Sequence, residues 1–126
     1  MKKLLLIIMT MLGLNSCAAQ GASFADMDTD DFARYIKDGS VQLLDVRTPA
    51  EYAEGHIAGA KNIDIYDAGF MHDAEKTLSK NRPVAVYCRS GRRSADAAAR
   101  LAAIGYKVTN LTGGILAWTA AGKPVE

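Results

Sequence analysis

The hydrophobic pattern of the chain changes period several times. Leu4 to Leu14 is an uncharged, mostly apolar run behind Lys2 and Lys3. From Asp28 the period becomes helical: Phe32, Tyr35 and Ile36 share a face, acids crowd the first turn, and Gly39 ends a helix predicted over 28–38. Val41 to Val46 is a short apolar run suited to a buried strand. Thr48 then stands as N-cap of a short helix, with Pro49 in its first turn and Glu51 closing a capping box. Gly55, Gly59 and Ala60 lead to a brief strand at Lys61–Ile63, and Phe70 to Lys80 reads as a further helix. Pro83 to Tyr87 is the clearest strand, since Pro is tolerated at a strand's first residue. An Ala-rich helix over Ser94–Ile104, a strand over Lys107–Leu111, a Gly113-Gly114 turn and a last helix over Ile115–Ala121 complete the pattern. Strands alternating with helices predict an α/β fold with a parallel sheet and helices on both faces. Sites in such sheets form at the carboxyl ends of the strands.

Composition narrows the picture. The 126 residues suit one domain, and 49% hydrophobic with 23% charged content is ordinary for a soluble protein. Net charge is +1, and removing Lys2 and Lys3 from the 15 basic residues leaves 13 against 14 acidic. That balance argues against a nucleic-acid partner. His56, His72 and Cys88 are too scattered for a metal site, and no Gly-rich nucleotide loop calls for an organic cofactor. A monomer is the simplest expectation.

The apolar run at the N-terminus is too short for a bilayer, which takes about 20 residues. With its basic start it has the form of a secretory signal peptide, an N-terminal anchor or buried helix being the alternative. Leu14-Asn15-Ser16-Cys17 resembles a bacterial lipobox. The resemblance implies a lipoprotein signal peptide over 1–16, a lipid on Cys17, a tether through residue 23 and a domain over 24–126. The protein is then exported and held by lipid on the periplasmic face of a membrane, with Ala18 favouring the outer one. Cys88 is the other cysteine, and a disulfide between the two is the plainer alternative.

Cys88 follows the Pro83–Tyr87 strand and opens Cys88-Arg89-Ser90-Gly91-Arg92-Arg93 before a helix. In a strand–loop–helix turn, backbone N–H groups converge and favour an anion. A cysteine there, among three arginines, has a depressed pKa and is a nucleophile. Gly91 lets the backbone curl. A buried structural cysteine and an Arg-rich solvated turn are the plainer readings of the same residues.

The wider sequence resembles the rhodanese family from Val41 to Ala121. The resemblance rests on Leu44-Asp45-Val46-Arg47, Glu51-Tyr52, Gly55-His56-Ile57-Ala58-Gly59-Ala60, the loop beginning at Cys88, and Gly113-Gly114-Ile115-Leu116-Ala117-Trp118. It implies a five-stranded parallel sheet with Cys88 as catalytic residue and Arg89, Ser90, Gly91, Arg92 and Arg93 as the substrate cradle. Phosphatases of this fold need an Arg after five intervening residues. Here that position is Ser94 and Arg93 comes one early, the six-residue loop of the sulfurtransferases. The expected reaction moves sulfane sulfur from thiosulfate, a persulfide or a polysulfide to a thiol, or to cyanide in vitro, through a Cys88 persulfide. Ser90 and Glu51 stand where two-domain animal relatives carry basic residues, which leaves the donor open. Asp45 and Arg47 are expected to hold loops by charge-assisted hydrogen bonds, His56 to be structural and His72 exposed. A non-catalytic sulfane-sulfur carrier and an anion hydrolase or reductase are the rival readings.

Overall fold

The computed structural model describes residues 23–126. The signal peptide read over 1–16, Cys17 and the tether through residue 22 lie outside the described residues. Three runs of four residues are buried throughout and make the centre of the sheet: β2 (Gln42–Asp45), β4 (Val84–Tyr87) and β5 (Val108–Leu111). Two short strands edge it, β1 (Ala25–Met27) and β3 (Lys61–Asn62). The order is β1-β5-β4-β2-β3, and every pairing is parallel. All five strands therefore end on one edge.

Strand side chains alternate between two cores. Val84, Val86 and Cys88 face one core with Phe70, Ala74, Leu101 and their neighbours. Ala85 and Tyr87 face the other with Phe32, Ile115 and Trp118. The first core is covered by α3 (Phe70–Thr77) and α4 (Arg92–Ala103), the second by α1 (Thr29–Tyr35), α2 (Pro49–Glu54) and α5 (Gly114–Ala120). The parallel sheet with helices on both faces is thus the architecture. Each large apolar side chain buried this way contributes about 1.5–3 kcal/mol.

Asp28, read as the first helical residue, is instead the N-cap of α1 and accepts from the Asp31 N–H at 2.9 Å. Thr48 and Glu51 form the capping box of α2. Four features depart from expectation by more than one residue. β1 carries no apolar alternation and exists by pairing with β5, with Thr112 N–H donating to the Met27 carbonyl at 2.9 Å. Helix α1 stops at Tyr35 and the chain turns through 36–39. Helix α3 stops at Thr77, because Leu78 is extended and buried. Helix α4 begins at Arg92 instead of Ser94: Gly91, at φ 104°, makes the left-handed turn that starts the helix two residues early.

Candidate active site

Cys88 leaves the carboxyl end of β4 and is buried. The chain after it turns back so tightly that its donors aim at the sulfur. Gly91 N–H donates to Sγ at 3.1 Å, and the Ser94 hydroxyl donates to it at 3.3 Å. Burial alone pushes the thiol up. The Ser94 hydroxyl and the N–H groups of Ser94, Gly91 and Ser90 outweigh burial, and the thiol sits below its ordinary value. The early start of α4 is what brings Ser94 to the sulfur, since Ser94 then lies in the first helical turn.

The loop rests on α5. Ile115 N–H donates to the Cys88 carbonyl at 2.9 Å and Leu116 N–H to the Arg89 carbonyl at 3.1 Å. This approach requires Gly114. A Cβ there would stand 2.4 Å from the Arg89 carbonyl oxygen and 2.6 Å from that of Cys88.

The arginines separate into two kinds. Arg89 and Arg92 are exposed at the mouth of the loop. Arg93 turns away, donating through both Nη atoms to the two Glu51 carboxylate oxygens at 2.8 Å, with its guanidinium over the Tyr66 ring. The Arg93 pair, with help from Thr48, holds the Glu51 carboxyl down to about 2, and Glu51 in turn raises Arg93. Ser90 is exposed, and its contribution to the sulfur is its N–H.

Asp45 and Arg47 form a buried pair beside the loop. Asp45 accepts from Arg47 Nε at 3.0 Å and Nη2 at 2.6 Å, and Arg47 Nη2 also donates to the Gly55 carbonyl at 2.7 Å. Burial opposes the Arg47 charge, but Asp45 outweighs it and keeps the guanidinium pKa above its ordinary value. Tyr87 lies beneath that guanidinium and accepts from Ile57 N–H at 3.0 Å. Burial, together with Asp45, pushes its phenol up and keeps it neutral. His56 stacks on Tyr52 with ring centroids 3.7 Å apart and lies outside the cradle, and His72 is exposed on α3. No three metal-ligating side chains cluster among the described residues.

A cleft of about 310 Å³ opens beside the loop, with Arg47, Glu51, Arg89, Leu116 and Val125 in its wall. Leu116 and Val125 are two of the three large apolar side chains exposed on the described surface. The cleft is wider than the sulfur cradle and mixes charge with apolar surface.

The sequence signals assembled Cys88 with the N–H groups of Ser90 and Gly91. They missed three participants: the Ser94 hydroxyl, the Glu51 pairing that withdraws Arg93, and the close approach that Gly114 permits. A serine at the position where a phosphatase carries its arginine was the available pointer to the first. The Glu51–Arg93 pairing spans 42 positions and left no local trace.

The rhodanese-like domain family profile matches residues 28–121. A protein of Allochromatium vinosum called a sulfurtransferase is 38% identical over 102 residues, 79% of this chain and 92% of its own. A protein of Schizosaccharomyces pombe called a putative mitochondrial thiosulfate sulfurtransferase is 35% identical, across 90% of this chain and 89% of its own. The crystal structure of a rhodanese-related protein from Thermoplasma volcanium superimposes with a TM-score of 0.73 at 33% identity, covering 82% of this chain and 98% of that one. The sheet order, the cysteine opening the loop after β4 and the breadth of these matches lead to one assignment: the chain belongs to the rhodanese-like domain family.

Proposed function

We propose that the protein is a sulfurtransferase that carries sulfane sulfur as a persulfide on Cys88. The observation that carries the reading is a buried sulfur met by a hydroxyl and backbone N–H groups, with its pKa lowered. The Cys88 thiolate attacks the outer sulfur of a donor such as thiosulfate. The sulfur–sulfur bond of the donor breaks with its electron pair leaving on sulfite, and Cys88 keeps a terminal S–S⁻. An acceptor thiolate then attacks that terminal sulfur, becomes the new persulfide and returns the Cys88 thiolate. The cradle stabilises the persulfide anion without a proton donor, and Arg89 and Arg92 meet the anionic donor. The names carried by the A. vinosum and S. pombe relatives support the same chemistry.

The cleft beside the loop supports an organic persulfide or polysulfide donor as well as thiosulfate, because thiosulfate leaves most of 310 Å³ unfilled. Arg93 is spent on Glu51 and a serine stands two positions after Cys88, so the charge offered to a small dianion is modest. Intact mass after incubation with thiosulfate, and separately with glutathione persulfide, tests the reading. One added sulfur, removed by cyanide and absent in Cys88→Ser, is expected. No added sulfur from either donor would overturn sulfur transfer. A stable persulfide without turnover to any thiol would make the protein a sulfur carrier.

The N-terminal pattern supports a second part of the proposal: export, removal of residues 1–16, and anchoring to a membrane through lipid on Cys17. Palmitate incorporation in cells, lost in Cys17→Ser, is the expected result. No incorporation by the native chain would sink it.

A further inference from the structure

All five strands are parallel, so the sheet has a starting edge and a finishing edge. Exposed bases stand on both, Arg89 and Arg92 beside Cys88 at the finishing edge and a larger group at the starting edge. Cys88 and its loop occupy the finishing edge. The starting edge is basic. Lys37 precedes β2, Lys61 opens β3, Lys80 and Arg82 precede β4, and Lys107 precedes β5. The carboxylates among them are Asp38, which accepts from Ser40, and Glu75, which pairs with Lys80. The segments are bound into one surface. Arg82 donates to the Ser40 carbonyl at 2.9 Å and the Gly39 carbonyl at 3.2 Å, and Val84 N–H donates to the Lys107 carbonyl at 2.9 Å. A hollow of about 130 Å³ brings Lys61 and Arg82 to one mouth. Bases in the last turn of a helix complement its dipole. Lys61, Arg82 and Lys107 lie outside helices, so that rule does not account for them.

The chain also enters the domain at this edge. Ala25 pairs with Thr109, and extending the register two residues sets Ser23 about level with Lys107. We propose that the edge carrying Lys37, Lys61, Lys80, Arg82 and Lys107 rests on an anionic phospholipid surface and holds Cys88 on the side turned away from it. The orientation rests on the Cys17 anchor proposed above. Six residues, Ala18 to Ser23, then separate lipid from fold, a reach of at most about 20 Å. A tether that short presents its own edge of the domain to the bilayer. Basic side chains within a Debye length of an anionic surface, about 8 Å at physiological salt, each strengthen partition about fivefold. The thiol, a strand length of about 13 Å further out, opens toward soluble donors and acceptors.

Residues 18–126 contain every described strand and both cores, and the Thermoplasma structure matches this fold over 98% of its own chain. This domain is co-sedimented at low salt with phosphatidylcholine vesicles, with and without phosphatidylglycerol. Binding is expected only with phosphatidylglycerol and is lost as salt rises. The triple variant Lys37→Glu, Lys61→Glu, Lys107→Glu is expected to bind about a hundredfold more weakly or worse. Sulfur loading of Cys88 in the variant reports that it has folded, and the milder Lys→Gln triple serves if it has not. Equal binding to both vesicles, or binding indifferent to the substitutions, would overturn the surface. Palmitate labelling of Cys17 is read separately, so loss of the anchor and loss of the surface are distinguishable results.

Discussion

Two neighbouring strands end in opposite ways. β4 runs into a loop where a thiol is met by neutral dipoles: a serine hydroxyl and the N–H groups of Ser90, Gly91 and Ser94. β2 runs into a segment held by full charges, Asp45 with Arg47 and then Glu51 with Arg93. The difference separates structure from chemistry. Ion pairs fix the wall of the site because a paired charge is directional and hard to dislodge. Neutral dipoles suit the sulfur because they lower its pKa without a salt-bridged counter-ion against it, which leaves room for the incoming sulfur of the proposed reaction. Arg93, the cation nearest in sequence to a phosphatase arginine, is held by Glu51.

The sharpest way to break the comparison is at the support shared by both carbonyls of the loop. Gly114→Ala would set a Cβ against the Arg89 and Cys88 carbonyls, at a residue with φ 60°. Neither backbone can yield without moving the sulfur. Sulfur loading measured by intact mass should slow about a hundredfold, with a loss of about 3 kcal/mol or more in urea unfolding. Asp45→Asn tests the charged side. It leaves Arg47, 5% exposed, without its counter-charge. Urea unfolding should show a loss of about 3–5 kcal/mol. The alkylation rate of Cys88 in the folded protein should stay close to native, because Asp45 touches Arg47 and not the sulfur. A large fall in that rate would make the two strand ends one electrostatic unit.

The central strands, the capping box and Cys88 were legible because their signals are local: four buried residues in a run, a Thr and a Glu three apart, a cysteine between a strand and a glycine. β1 was not, since Ala25-Asp26-Met27 has no apolar alternation and takes its conformation from the register with Thr109–Leu111. The start of α4 was misplaced because Arg92 and Arg93 read equally well as loop; Gly91's positive φ decides it. Ser94 was overlooked as a participant for the same reason. As the first residue of a helix it would point elsewhere, and as the third it reaches the sulfur. Glu51 was read for its cap and makes that cap, but its second partner comes from a different helix.

Glu51→Gln carries the comparison a step further by removing the charge that withdraws Arg93. The pair is partly exposed, so the expected loss of stability is about 1–2 kcal/mol. The acid limb should change with it. The native carboxyl is held down to about 2 by Arg93, against an unfolded value of about 4.3. Its contribution is therefore complete above about pH 4.3 and is lost as pH falls toward 2. The variant's stability should lack that slope between pH 4.3 and 2 in acid unfolding. The freed guanidinium should also lower the Cys88 pKa further, read from the pH dependence of alkylation.

The smallest effect expected is the most selective. Ser94→Ala removes the hydroxyl 3.3 Å from the sulfur and leaves the backbone donors in place. A hydrogen bond to a charged group contributes about 1.5 kcal/mol or somewhat more, so loading at neutral pH should slow about tenfold. The pH profile says where that energy acts. If the hydroxyl stabilises the resting thiolate, the Cys88 pKa rises in the variant, and the two rates converge once both thiols are ionised at alkaline pH. If it stabilises the persulfide instead, the deficit persists at every pH. The lowering of the thiol by Ser94 predicts convergence. A constant deficit would move the role of the neutral cradle from making the nucleophile to holding its product.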